Sequence, residues 1–116
     1  MNFYGNLMKK VDGDLVRLLR ELDRLHLTDS TVVIKTADHG EMGMAHGGQY
    51  QKMFNAYEET LRVPLVFSNP VMWPKPAVSN ALVSHVDFVP TIASLLGAPK
   101  SLSKSARCVH VAHAQP

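Results

Sequence analysis

Leu7, Met8, Val11, Leu15, Leu18, Leu19, Leu22 and Leu25 recur at steps of three and four. That spacing predicts an amphipathic helix over about residues 3–26, which Gly13 weakens slightly near its middle. The period then changes. Thr31-Val32-Val33-Ile34-Lys35-Thr36 is a β-branched run and predicts a buried strand. A helix that feeds a buried strand predicts an α/β layer fold. Residues 38–51 are rich in Gly and Met and have no clear period, so they read as a loop. Met53 to Leu61 predicts a short helical turn. Val63-Pro64-Leu65-Val66-Phe67 predicts a second strand, with Pro64 marking an edge or a beginning.

Pro70, Pro74 and Pro76 make residues 69–78 a loop, opened by an Asn-Pro turn signal. Ala81 to Ser84 predicts a short strand. Asp87 or a near neighbour is expected to cap a final helix whose first turn accepts Pro90. Ile92, Leu95 and Leu96 are its expected buried side, and Gly97 its end. After Pro99 the character changes. Ser101, Ser103 and Ser105 alternate with Lys104 and Arg107, and His110 and His113 follow. Residues 1–99 therefore read as folded, and residues 100–116 as a disordered tail.

At 116 residues the chain is one domain's worth or less. A chain of this size buries roughly two-thirds of its unfolded surface. Its 46% hydrophobic and 19% charged residues are ordinary for a globular protein. Lys9, Lys10, Arg17, Arg20 and Arg24 interleave with Asp12, Asp14, Glu21 and Asp23, for a net charge of +2. This mixture is a solvated helix face and not a nucleic-acid footprint. No apolar run approaches a membrane span. Met1 leads straight into the helix pattern, so no signal peptide is expected. Cys108 is the only cysteine, which excludes an intrachain disulfide and a cysteine-based metal cluster.

Thr36-Ala37-Asp38-His39-Gly40-Glu41 carries the densest chemistry. An acid and an imidazole at the C-terminal end of a strand sit where open α/β sheets place their reactive groups. The pair offers one hard oxygen ligand and one nitrogen ligand to a divalent metal. Gly40 is expected to turn the backbone and leave room for a ligand. The same residues also fit a surface turn in which Asp38 caps the next segment.

This stretch is followed by His46-Gly47-Gly48, Lys52, Tyr57-Glu58-Glu59-Thr60-Leu61-Arg62-Val63-Pro64-Leu65-Val66, and the run from Val83-Ser84-His85-Val86-Asp87 to Gly97. In this order and spacing, the series resembles the later part of the catalytic domain of sulfatases, in the alkaline phosphatase superfamily. It covers about Phe3 to Pro99. The resemblance implies an α/β fold, alkaline-phosphatase-like, with a mixed sheet between flanking helices, present here as a partial domain.

It also implies a site. Asp38 and His39 match the pair that binds the divalent metal, usually calcium in sulfatases. His at the second position also suits manganese or zinc. Lys52 matches the lysine that contacts the sulfate oxygens, and its point charge suits a tetrahedral oxyanion. His46 matches the loop histidine before that lysine, and either donates to the leaving oxygen or orders the loop. Glu41 is expected to order the loop. Glu58, Glu59 and Arg62 are expected to form an ion-pair network. His85 and Asp87 have caps-and-core roles, and Tyr50 and Trp73 anchor or line a cleft.

Sulfatases carry their formylglycine nucleophile in an early Cys-or-Ser-x-Pro-x-Arg motif. These 116 residues lack it, because Ser68-Asn69-Pro70-Val71-Met72 has Met72 in the arginine position. The expectation is a fragment of a metal-dependent sulfuric ester hydrolase, inactive alone, whose substrate is a small-molecule or glycan sulfate ester. The formylglycine is expected only in the missing N-terminal part. The alternatives are a relative acting on phosphate or phosphonate esters and a non-catalytic binding or structural remnant.

Overall fold

The computed structural model describes residues 2–52 and 54–99. The tail expected after Pro99 lies outside the described residues, as do Cys108, His110 and His113. The chain divides into two compact units, residues 1–71 and 72–116.

The first unit opens with helix α1, Asn2–Arg24. Its end is a Schellman motif. Leu27 N–H donates to the Leu22 carbonyl at 2.9 Å, and His26 N–H to the Asp23 carbonyl at 2.9 Å. His26 takes the left-handed conformation this requires, with φ 56°. Leu15 and Leu22 are half-buried, while Met8 and Leu18 remain 71% and 53% exposed. A recess of about 220 Å³ lies against Leu19, Leu22, Thr28, Thr31, Val33 and Pro70.

A 3₁₀ turn, Thr28–Ser30, leads into strand β1, Val33–Thr36. Strand β2, Leu65–Ser68, pairs with it antiparallel, Val33 opposite Ser68 and Thr36 opposite Leu65. Pro64 directly precedes β2, where its missing N–H costs no ladder bond. The strand expected to be buried is only half so. Val33 and Ile34 are partly covered, and Lys35 and Thr36 are exposed.

Asn69 ties the far end of this sheet to the helix connection. Its side chain is 4% exposed. Nδ2 donates to the Asp29 carbonyl at 2.9 Å, the Thr31 carbonyl at 3.0 Å and, at longer range, the Thr28 carbonyl at 3.4 Å. Oδ1 accepts from Val71 N–H at 3.0 Å, which makes the expected Asn-Pro turn.

The near end of the sheet releases residues 37–64. Two short turns punctuate them, α2 (Ala45–Gly48) and α3 (Glu58–Leu61). The α2 backbone leaves the helical region at His46 and Gly47. Gly40 closes the loop. Its N–H donates to the Thr60 carbonyl at 2.8 Å. A Cβ at position 40 would overlap the Glu59 carbonyl oxygen. The glycine is therefore needed for the close approach of two backbones. Met42, 2% exposed, is the only buried large apolar side chain among the described residues. It packs beneath Thr60, whose Oγ1 lies 3.2 Å from Met42 Sδ and donates to Asn55 Oδ1 at 2.8 Å.

In the second unit, Ala81 to Ser84 forms no strand. The segment has no neighbouring strand to complete a ladder, and β propensity alone does not hold an extended chain in place. Ser84 caps a 3₁₀ turn, His85–Asp87, through a reciprocal capping box in which Ser84 N–H donates to Asp87 Oδ2 at 2.9 Å. Helix α4, Phe88–Leu95, follows, with Pro90 in its first turn. Pro90 and Thr91 are its buried residues. Ile92 and Leu96, expected inside, are 38% and 80% exposed, and Leu95 is half-buried. On the buried side, Thr91 Oγ1 donates to the Asp87 carbonyl at 2.6 Å. Gly97, at φ 71°, ends the helix in a second Schellman motif, with Ala98 N–H donating to the Ala93 carbonyl at 2.9 Å.

Two substitutions test this arrangement. Asn69→Ala removes donors from carbonyls of the helix connection and is expected to cost about 2 to 3 kcal/mol, read from urea unfolding. Asn69→Asp should cost more, because it sets a carboxylate against the same carbonyls. Gly40→Ala should destabilise by about 1 to 3 kcal/mol, as overpacking does. Its damage should appear first as faster amide exchange at Gly40 and Met42.

Candidate functional site

The antiparallel register places Thr36 beside Leu65, so the chain leaving β1 and the chain entering β2 start together. The Gly40–Thr60 bond holds them together beyond the strands. Asp38, His39, His46 and Lys52 all lie on the loop closed in this way.

Asp38 and His39 follow β1 directly. Asp38 is an exposed carboxylate, 86% accessible, and the His39 ring is 35% accessible. Asp38 Oδ1 accepts from His39 N–H at 2.9 Å. That amide bond, then the charge of the His39 ring, holds the Asp38 carboxyl below its ordinary value, with a smaller contribution from Lys52. His39 Nδ1 lies 2.6 Å from the Gly40 carbonyl oxygen. A carbonyl only accepts, so Nδ1 carries the hydrogen. The other nitrogen, Nε2, faces Asp38 Oδ2 at 3.5 Å. Unless Nε2 also carries a proton, these two atoms are both acceptors, and a cation between them would relieve the repulsion.

Lys52 is exposed on the turn after Gln51. Its positive charge is the smallest of the influences that lower the Asp38 pKa. The two lie on opposite arms of one closed loop. Glu41 fastens those arms. Its Oε1 accepts from Gln51 N–H at 2.7 Å, Gly43 N–H at 3.3 Å and the Tyr4 hydroxyl of α1 at 3.2 Å. The Gln51 amide is the main cause that keeps the Glu41 carboxyl below its ordinary value. Met42 N–H adds a 3.0 Å bond to the Gln51 carbonyl. Glu41 thus orders the loop, as its sequence context suggests.

His46 stands apart from the Asp38–His39 pair. Its Nε2 lies 3.2 Å from both carboxylate oxygens of Glu59. Its ring stacks on Tyr57, with centroids 4.1 Å apart and planes at 9°. The Glu59 carboxyl is held below its ordinary pKa by its own amide first, then by His46. The expected network of Glu58, Glu59 and Arg62 is therefore divided. Arg62 reaches Glu58 at 3.7 Å across one helical turn, while Glu59 pairs with His46. No spacing rule links His46 to Tyr57 and Glu59, because loop closure alone brings them together. In the second unit, His85 stacks on Phe88 and Asp87 is buried in its capping box. Tyr50 is exposed.

Among the described residues, no group of three or more His, Cys, Asp and Glu could hold a metal ion. Nor is any helix there long and apolar enough to cross a membrane.

No solved structure matches this chain. Comparison with protein families does give a match: the Sulfatase model covers residues 1–98. Arylsulfatase K of Canis lupus familiaris is 38% identical over 97 residues, which is 84% of this chain and 18% of that protein. Arylsulfatase K of Homo sapiens is 37% identical over the same length. The N-acetylgalactosamine-6-O-sulfatase of Bacteroides thetaiotaomicron is 31% identical, across 82% of this chain and 21% of its own. The chain spans about a fifth of the length of these relatives. With most of its length matched, the chain belongs to the sulfatase family.

Proposed function

We propose that this chain supplies the metal- and oxyanion-binding part of a sulfatase-type site that hydrolyses sulfate esters, set in an alkaline-phosphatase-like α/β fold. The observation that carries the reading is the His39 ring. Its Nδ1–H is committed to the Gly40 carbonyl, which leaves Nε2 turned toward Asp38 Oδ2. A metal-binding histidine is typically oriented by such a bond from its other nitrogen. Two ligands at right angles on one cation, each about 2.1 to 2.4 Å from it, stand about 3 to 3.4 Å apart, close to the observed separation.

The donors fit a divalent cation, calcium in the first instance, but two donors are an incomplete set. Such a cation, when bound, would stabilise negative charge on the transferred group. Lys52 supplies a second positive charge for the sulfate oxygens. Glu41 fixes the distance between the two loop arms. Two of the matching relatives are named for 6-O-sulfated N-acetylhexosamines, and sugar sulfate esters are the substrate class we assign.

The 116 residues hold no Cys-or-Ser-x-Pro-x-Arg sequence. We therefore expect no turnover from them alone. The decisive experiment reads the transcript upstream of Met1 for an in-frame motif of that kind, then assays the longer product. It should hydrolyse an aryl sulfate and N-acetylglucosamine 6-sulfate. Asp38→Ala should lower kcat by about 10² or more, as removal of one charge-stabilising group does. Equal turnover in Asp38→Ala would overturn the reading.

Calcium binding gives a separate check. Calcium takes about six to eight oxygen ligands, and Asp38 with His39 provides far fewer. Calorimetric titration into the isolated chain should show binding in the millimolar range or weaker. A tight stoichiometric site, lost in Asp38→Asn, would mean that the chain completes its metal site unaided.

A further inference from the structure

We infer that Glu59 and Tyr57 are positioning residues for His46: together they fix its ring so that Nε2 is held by the loop and Nδ1 is the nitrogen left to meet an oxyanion. The inference rests on the sulfatase reading for the use of His46, but its geometry stands on its own.

A carboxylate only accepts hydrogen bonds. With Nε2 at 3.2 Å from both Glu59 oxygens, Nε2 must carry the hydrogen. Nδ1 makes no hydrogen bond among the described residues, and the His46 side chain is 41% accessible. The neutral ring is then a single tautomer with an acceptor at Nδ1. Once protonated, it donates from Nδ1 while its positive charge faces Glu59. Either form suits a group that works on an ester oxygen.

The ring plane is fixed as well. Tyr57 lies nearly parallel to it at 4.1 Å, so tilting the ring would break the stack, and a half-turn about χ2, which keeps the stack, would break the bond to Glu59. Tyr57 and Glu59 flank Glu58 at the start of the α3 turn, and Gly40 packs on the Glu59 carbonyl. The segment that holds Asp38 and His39 thus also sets the height of Glu59.

The backbone shows that this placement is imposed. His46 sits at φ 50°, ψ 48°, next to Met44 at φ 73°. A non-glycine residue in this region costs roughly 1 to 2 kcal/mol, which the surrounding bonds must offset. The residues after His46, Gly47 and Gly48, are glycines at φ 85° and 93°.

The test uses nitrogen-15-labelled chain and ring-nitrogen correlation spectra, recorded at a pH where the ring is neutral. His46 is assigned by its loss in His46→Gln. Wild type should show a protonated Nε2 and an unprotonated Nδ1 with well-separated shifts. Glu59→Ala should bring the two shifts toward each other. Glu59→Gln, whose amide oxygen still accepts, should keep them apart, and Tyr57→Phe should do the same because it keeps the stack. Backbone amide spectra that match wild type outside residues 44–60 show that the variants fold.

Inorganic sulfate is then titrated in at a lower pH where the ring is protonated, so that Nδ1–H can donate to it. It should shift His46 Nδ1 in wild type and Glu59→Gln, with the shift lost in Glu59→Ala. Averaged ring signals in wild type, or unchanged ones in Glu59→Ala, would overturn the dyad and leave the sulfatase reading standing. A fixed ring that sulfate does not move would overturn its placement at an oxyanion site. Neither outcome depends on turnover by the longer product.

Discussion

The contact on which the site depends is the approach of Gly40 to the backbone of Glu59 and Thr60. Two strands of four residues each give the first unit little sheet to build on. Beyond them, the Gly40–Thr60 hydrogen bond is what keeps both ends of the long connection in register. Any side chain at position 40 would push Glu59 away. With Glu59 would go the His46 pair, and with Thr60 the cover over Met42. One missing Cβ therefore sets the positions of the Asp38–His39 pair, the His46–Glu59 pair and the small core together.

That core is chiefly polar. In the first unit Thr60 and Asn69 are buried, against Met42 alone among large apolar side chains of the described residues; the second unit, by itself, buries Asp87 and Thr91. Order in the loop comes from directed bonds: Glu41 gathers three donors, Asn55 and Thr60 share a hydroxyl, and His46 leans on Tyr57. Directed bonds fix angles better than apolar contacts do, but each contributes only about 1 kcal/mol net. The apolar stripe of α1 contributes little here. Phe3, Met8, Val11 and Leu18 are all more than half exposed. The loop is thus well specified in shape and modest in stability.

Much of the architecture is legible in the residues. The long period of α1 is strong enough to survive Gly13, and the β-branched run at Thr31 announces β1. The end of α1 is less so, because His26 takes the left-handed position where a glycine usually signals the stop. The direction of β1 against β2 is not legible, since side-chain alternation does not encode which way a partner runs. Burial in α4 departs from its hydrophobicity, which points to Ile92 and Leu96 while Pro90 and Thr91 are the buried residues. In the site, Asp38 and His39 are neighbours in sequence, so their pairing needs no fold. His46 with Glu59 needs the whole loop to close, and nothing local in either residue's surroundings predicts the other.

Asn69 carries a consequence of a chemical kind. Asparagines in proteins age when the amide nitrogen of the following residue attacks the side-chain carbonyl, forming a cyclic imide that opens to aspartate or isoaspartate. Pro70 has no backbone N–H to attack with. The side-chain amide that joins the helix connection to the end of the sheet is also buried and bonded to three carbonyls. Asn80, exposed and followed by Ala81, has neither protection. The bond that joins the helix connection to the sheet is therefore one that time in solution erodes slowly.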